Sequence, residues 1–171
     1  MVNENVVLVD RNDNPIGLME KIEAHRRGLL HRAFSVFIID DASRLLLQRR
    51  SQTKYHSPGL WTNTCCSHPR NGEILIDAAN RRLMQEMGMS ANLKHMFSFI
   101  YRAEFDNGLI EHEFDHVFIG KSNSDPVINS DEVCEWKWTE IKKIKKDIIV
   151  NSHHYTEWFK IIFNKFFNKL I

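Results

Sequence analysis

The sequence predicts a single domain of the α/β (α+β) class, and three observations carry that reading. At 171 residues, with 43% hydrophobic and 26% charged, the chain can bury one proper core and is short for several. Apolar runs rich in β-branched and aromatic residues recur between turn signals, as at residues 34–39 and 133–139, which is how strands read. Residues 61–89 pass from a polar, turn-rich segment into apolar positions at helical spacing. Residues 1–171 are therefore expected to form one domain.

In chain order, residues 6–9 read as a short strand closed by the turn former Asn12-Asp13-Asn14-Pro15. Residues 17–33 carry Lys21, His25, Arg26, Arg27, His31 and Arg32. His25 and His31 are too far apart for one helical turn, so a shared role needs a bend between them; two surface histidines are the plain alternative. Residues 34–39 read as a buried strand, paired with residues 44–48 across Asp40-Asp41-Ala42-Ser43. Arg49, Arg50 and Lys54 follow, a charge run of the kind that is usually a solvated loop.

The central stretch begins beyond Pro58-Gly59, with Cys65, Cys66, Ser67, His68 and Pro69, then an Asn71-Gly72 turn. From Glu73 onward Ile76, Ala79, Leu83 and Met87 form a helical stripe that Gly88 ends. The same spacing lines up Ala78, Arg82 and Glu86 on another face. Residues 93–103 read as a strand through Phe97, Phe99, Ile100 and Tyr101, and Asp106-Asn107-Gly108 as a hairpin turn. In LIEHEFDHVFIG a period of two sends Glu111, Glu113 and Asp115 to one face, and Phe114, His116 and Phe118 to the other. Solvent exposure or a bridging cation would each relieve the repulsion between those carboxylates. Residues 133–139 read as a strand and 140–146 as a short basic helix. Asn151 or Ser152 is expected to cap a final helix striped with Trp158, Phe159, Ile162, Phe163, Phe166 and Leu170.

A net charge of +1 gives no general case for nucleic acid or membrane binding. Three cysteines, two of them adjacent, make no disulfide framework. The first ten residues lack the basic start and apolar core of a secretion signal, and no apolar run is long enough for a bilayer. A reduced, cytoplasmic protein is expected, as a monomer or weak homodimer. Cys66 and His68, two apart, share one side of an extended chain; for Cys65 and Cys66 small buried packing is the plain alternative.

The spacing from Ser67 to Met89 resembles the Nudix box, G-x5-E-x7-R-E-U-x-E-E-x-G-U with U apolar. The matching positions are Ser67, Glu73, Arg81, Arg82, Leu83, Gln85, Glu86, Gly88 and Met89. Arg82 and Gln85 stand where that pattern has metal-holding acids, which argues against ordinary pyrophosphate hydrolysis. WTNTCCSHP, AANRRLMQEMG and LHRAFSVFII resemble instead one branch of the superfamily, the type I isopentenyl-diphosphate isomerases. This resemblance runs from Lys21 through Trp158 and implies a mixed central sheet flanked by helices.

It further implies 1,3-allylic rearrangement of isopentenyl diphosphate to dimethylallyl diphosphate, a small-molecule substrate. Cys66 and Glu113 are the implied proton carriers, with Tyr101 hydrogen-bonded near Glu113 and Trp158 near the carbocation. Lys21, Arg50, Lys54 and Arg82 would neutralise the diphosphate. His25, His31, His68, Glu111 and Glu113 would ligate one divalent transition metal, Mn²⁺ or Zn²⁺, a donor set suited to such ions. Mg²⁺ would sit between the diphosphate and Glu86. Two other classes stay open: a nucleotide pyrophosphohydrolase, and a non-catalytic metal or redox module built on Cys65, Cys66, His68 and Cys134.

Overall fold

The structure is a computed structural model that describes residues 4–170, with side chains described through Phe166. In order, its elements are β1 (Asn5–Val9), β2 (Pro15–Glu20), α1 (Lys21–Arg27), β3 (His31–Ile39) and β4 (Arg44–Arg50). Then come β5 (Trp61–Thr62), β6 (Cys65–Ser67), α2 (Leu75–Met87), β7 (Lys94–Glu104) and β8 (Ile110–Lys121). β9 (Val133–Glu140), α3 (Ile141–Val150) and α4 (Glu157–Leu170) complete the chain.

β3 is the hub. Its apolar run is buried almost throughout, and it pairs with β1, β4, β6 and β8. The β3–β8 ladder is parallel, from His31 opposite Glu113 to Ile39 opposite Lys121, while every other strand ladder is antiparallel. The sheet is therefore mixed, as expected. A parallel pair needs a long crossover, and here β4, β5, β6, α2 and β7 all lie inside it.

Strand alternation divides the apolar residues between two cores. Phe37, Ile39, Leu45, Leu47 and Val117 face α3 and α4, packing with Ile144, Ile148, Phe159, Ile162 and Phe163. Val36, Ile38, Leu46 and Phe118 face α2, packing with Ala78, Ala79, Leu83 and Met87. Helices thus cover both faces of the sheet. Each fully buried Leu, Ile or Phe contributes about 1.5–3 kcal/mol of transfer free energy. Among the described residues no helix is long and apolar enough to cross a membrane.

Two local expectations change. The stripe of α2 holds at Ala79, Leu83 and Met87, but Ile76, in the first turn, is 37% exposed. Asn151 and Ser152 do not cap the last helix. Asn151 closes α3 through its N–H and side chain to Asp147, and residues 152–154 form a single 3₁₀ turn. Buried Tyr155 donates to Asp147, and the Thr156 N–H bonds the Trp61 carbonyl, so the chain returns to the sheet before α4 can begin. The Leu170 side chain lies outside the described residues.

Candidate active site

The bend required between His25 and His31 is a left-handed glycine. Gly28, at φ 60°, ends α1 by returning its N–H to the last-turn carbonyls of Ala24 and His25. A Cβ there would stand 3.2 Å from the Ile110 side chain as well as in a disfavoured backbone region. The turn brings the two imidazoles to a centroid separation of 4.8 Å. Both rings are fully buried rather than on the surface.

Each ring has its Nδ1 committed to a carbonyl. His25 Nδ1 donates to the Lys21 oxygen at 2.7 Å, and His31 Nδ1 to the Leu29 oxygen at 2.8 Å. This leaves Nε2 of both as a lone-pair acceptor, and both atoms are buried without a hydrogen-bond partner. An unsatisfied buried polar atom costs about 1–3 kcal/mol. His68, just beyond β6, points its Nε2 at Glu113 Oε1 at 2.9 Å, and Glu113 faces His31 across the parallel ladder. Ligand atoms of His25, His31, His68 and Glu113 all lie within 4.8 Å of one another. Two orphaned imidazole nitrogens, a third imidazole and a carboxylate fit a first-row divalent ion.

Electrostatics keep these groups in ligand form. Burial, then the neighbouring His68 and His31, pulls the His25 pKa down to about 4. Burial also lowers that of His68. Burial alone would raise the Glu113 carboxyl, but the His31 ring 3.5 Å away and the His68 hydrogen bond hold it well below the usual range. Glu111 moves the other way, pushed up by burial and by the Glu113 charge. Tyr101 Oη lies 2.9 Å from Glu111 Oε2 and 2.6 Å from Glu113 Oε2. One phenolic proton cannot serve both; a proton on Glu111 Oε2 would complete the chain through Tyr101 to an ionised Glu113, and a cation binding Glu111 would displace it. The carboxylates at Glu111, Glu113 and Asp115 do share a face, and that face is buried.

Glu111 belongs to a second, overlapping group with His25 and His56. His56 was not singled out from the sequence. It lies 4% exposed inside the 51–60 loop, with Nε2 3.1 Å from Glu111 Oε1. Its position two residues after Lys54 was the available signal.

The four predicted cations line the same cavity as Cys66, His68, Tyr101, Glu111, Glu113 and Trp158. Lys21 pairs with Glu4, and Lys54 with Glu132. Arg82 bonds Glu86 at 2.6 Å and Glu132 at 3.1 Å. Against its own burial, those acids raise the Arg82 pKa further. Arg50 donates to the carbonyls of His56 and Ser57 and sits 5.2 Å above the Trp158 ring. Glu4 and Glu132, unremarkable in sequence, hold this basic wall in place. Arg49 turns away to Gly59 and Glu135.

Glu86 is buried beneath that wall. Its two oxygens accept from Arg82 and, at 2.9 Å, from Gln48. It stands outside both His/Glu groups. Trp158, 2% exposed, is fixed by its indole N–H on Asn63 Oδ1 at 3.2 Å. Burial raises the Cys66 thiol well above its ordinary range, which keeps it protonated. Cys134 is exposed against the Arg49 and Arg50 carbonyls, and among the described residues neither metal-type group contains a cysteine. The Cys65/Cys66/His68/Cys134 module is therefore not assembled.

Known proteins resemble this chain in sequence and in fold. A model of the NUDIX domain matches residues 29–159. An isopentenyl-diphosphate Delta-isomerase 2 of Photorhabdus laumondii is 53% identical over 163 residues, spanning 95% of this chain and 92% of the relative. One of the same name from Aromatoleum aromaticum is 52% identical over 157 residues, 92% of this chain and 83% of that one. Among solved structures, DR0079 from Deinococcus radiodurans superposes with a TM-score of 0.78 over 95% of this chain and 99% of its own, at 18% identity. A MutT protein from Methanosarcina mazei gives 0.67 over 82% and 94%, also at 18% identity. At that identity the two structures speak for the fold alone.

Proposed function

The chain belongs to the NUDIX-domain isopentenyl-diphosphate Delta-isomerases, and from that premise we propose how its own residues carry the reaction. Isopentenyl diphosphate enters with its diphosphate against Lys21, Arg50, Lys54 and Arg82. Its isoprene end reaches the wall formed by Cys66, Tyr101, Glu113 and Trp158. One observation carries this reading: a single cavity has a cationic side suited to phosphate and, within it, a thiol, a carboxylate and an indole.

Isomerisation needs a proton added at the terminal alkene carbon and another removed from C2 of the tertiary carbocation. An alkene is a weak base, so the acid must be adjacent and the site dry. Cys66, held as a thiol, and Glu113, held ionised, supply a proton donor and acceptor in complementary states. Tyr101 orients the Glu113 carboxyl from the side opposite the histidines' oxygen, through Oε2 rather than Oε1. The Trp158 ring offers its π face to the cation, an interaction worth about 0.5–2 kcal/mol. A divalent ion on His25, His31, His68, Glu111 and Glu113, Mn²⁺ or Zn²⁺, would fix the state of Glu113, and Mg²⁺ beside Glu86 would neutralise the diphosphate. The entire chain, residues 1–171, acts as one such unit, in the cytoplasm.

The box itself disfavours hydrolysis. Arg82 occupies an acid's position and bonds Glu86 instead of joining it as a ligand. Incubation with isopentenyl diphosphate and Mg²⁺ in D₂O is expected to place deuterium in the methyl group of dimethylallyl diphosphate without releasing phosphate. Free phosphate beside unlabelled substrate would overturn the proposal.

A further inference from the structure

We propose that His56 is a positioning residue of the His/Glu centre, holding Glu111 in the orientation from which that carboxylate meets the ion. The inference rests on the metal-site reading above and adds a residue to it. Glu111 has both oxygens engaged, Oε2 by Tyr101 at 2.9 Å and Oε1 by His56 Nε2 at 3.1 Å. The Tyr101 hydroxyl is shared with Glu113, so His56 is the neighbour that acts on Glu111 and not on Glu113.

The ring is built in rather than passing by. It stacks on Phe105 at 4.9 Å and 14°, and Trp158 meets it edge-on at 5.8 Å and 88°. Tyr55 packs edge-on from the third side at 4.4 Å. The backbone carrying it is tied down as well. Arg50 holds the His56 and Ser57 carbonyls, and Asn107 holds that of Tyr55 at 3.0 Å. A side chain wedged this way keeps its Nε2 edge 3.1 Å from Glu111 Oε1, within reach for an imidazole N–H to steady that carboxylate as it meets the ion.

His56 shares a ligand-distance group with His25 and Glu111, but not with His31, His68 and Glu113. A role behind Glu111 therefore fits better than a place among the ligands. Residues that hydrogen-bond a ligating carboxylate govern how well it binds, and losing one typically costs about 10–100-fold in metal affinity.

The test is metal affinity of the chelator-stripped protein, measured by Zn²⁺ and Mn²⁺ titration. Wild type must first bind one equivalent; if it does not, the metal-site reading itself fails and the question of His56 is closed with it. His56→Phe keeps the stacked ring and removes both nitrogens, and is expected to weaken binding about 10–100-fold. His56→Gln loses the ring but keeps an N–H at that reach, and is expected to fall short of the loss of about 10-fold or more in the Phe variant. In a Glu111→Gln background the Phe substitution should add little, since the two act as one unit. Pulsed EPR of the Mn²⁺ form should count three imidazoles in wild type and in both variants. Unchanged affinity in the Phe variant, equal losses in the Phe and Gln variants, or a fourth imidazole in wild type would each overturn the proposal. Should the Phe variant fail to fold, His56→Leu, which also removes both nitrogens, takes its place with the same expected loss.

Discussion

Cys65 and Cys66 are consecutive in β6, yet they belong to different cores of the protein. Cys65 is fully buried among Phe34, Val36, Leu83 and Met87, while Cys66 borders the core of α3 and α4 and opens on the cavity. The strand's period of two is sufficient cause. Cys66→Ala is therefore expected to abolish isomerisation with the fold and bound metal unchanged. Cys65→Ala should cost no more than about 2 kcal/mol, the scale of a small core cavity, and keep turnover. Product assay beside urea unfolding separates the two; an essential Cys65 would reverse the assignment.

The two unpartnered ring nitrogens make metal removal a test of stability as well as of activity. Stripping the ion should lower the thermal midpoint, and Zn²⁺ or Mn²⁺ should restore it in a concentration-dependent way, as binding to the folded state alone requires. His68→Ala should diminish that response. A midpoint indifferent to chelator and to added metal would remove the basis for a structural and catalytic ion.

Arg82 is held between Glu86 and Glu132, and in the proposed reading it binds the diphosphate. Arg82→Gln should raise the KM for isopentenyl diphosphate by about 10- to 100-fold, the value of one charge-assisted hydrogen bond. The Arg49→Gln control, whose side chain faces Glu135 and Gly59, should leave KM alone. Steady-state kinetics on both variants decides the matter.

On the opposite face of β8, His116 bonds Asp13 at 3.0 Å and Ser98 at 2.9 Å. Burial lowers its pKa below 6.5 despite the Asp13 charge. The unfolded chain therefore binds more protons at this position than the folded one once pH drops below 6.5. The sign follows: stability contributed by neutral His116 is present above that value and declines as pH falls through it. Urea midpoints from about pH 7 to about pH 5 should show a smaller acid loss in His116→Gln than in wild type. An identical slope would place the acid sensitivity elsewhere.

Sequence patterns made the strands legible where the signal is local. The alternation at Glu111, Glu113 and Asp115 puts them on one face, and they are on one face. Whether that face meets water depends on what folds over it, and no local pattern encodes the 51–60 loop that brings His56 there or the docking of α4 that brings Trp158. The same limit accounts for Asn151, a good cap by residue type. It closes α3 because Tyr155 is drawn into the core. The cationic set was readable as a group from the resemblance, and its members line one cavity, whereas Glu4 and Glu132 gained meaning only when distant segments converged on Lys21, Lys54 and Arg82. His25 and His31 called for a bend, and Gly28 stood between them.

The parallel β3–β8 ladder places His31 opposite Glu113, and this has a bearing on how the molecule is made. Antiparallel neighbours such as β7 and β8 can zip from a tight turn, but β3 must wait for the intervening chain before it meets β8. Non-local pairing of this kind slows folding, because loop closure is charged before any contact rewards it. The histidines of the N-terminal segment therefore remain without their carboxylate during synthesis until β8 has emerged and docked. Competence to capture an ion should thus arise late, with the closing of a long loop, and refolding followed by metal uptake should lag behind refolding followed by helix formation.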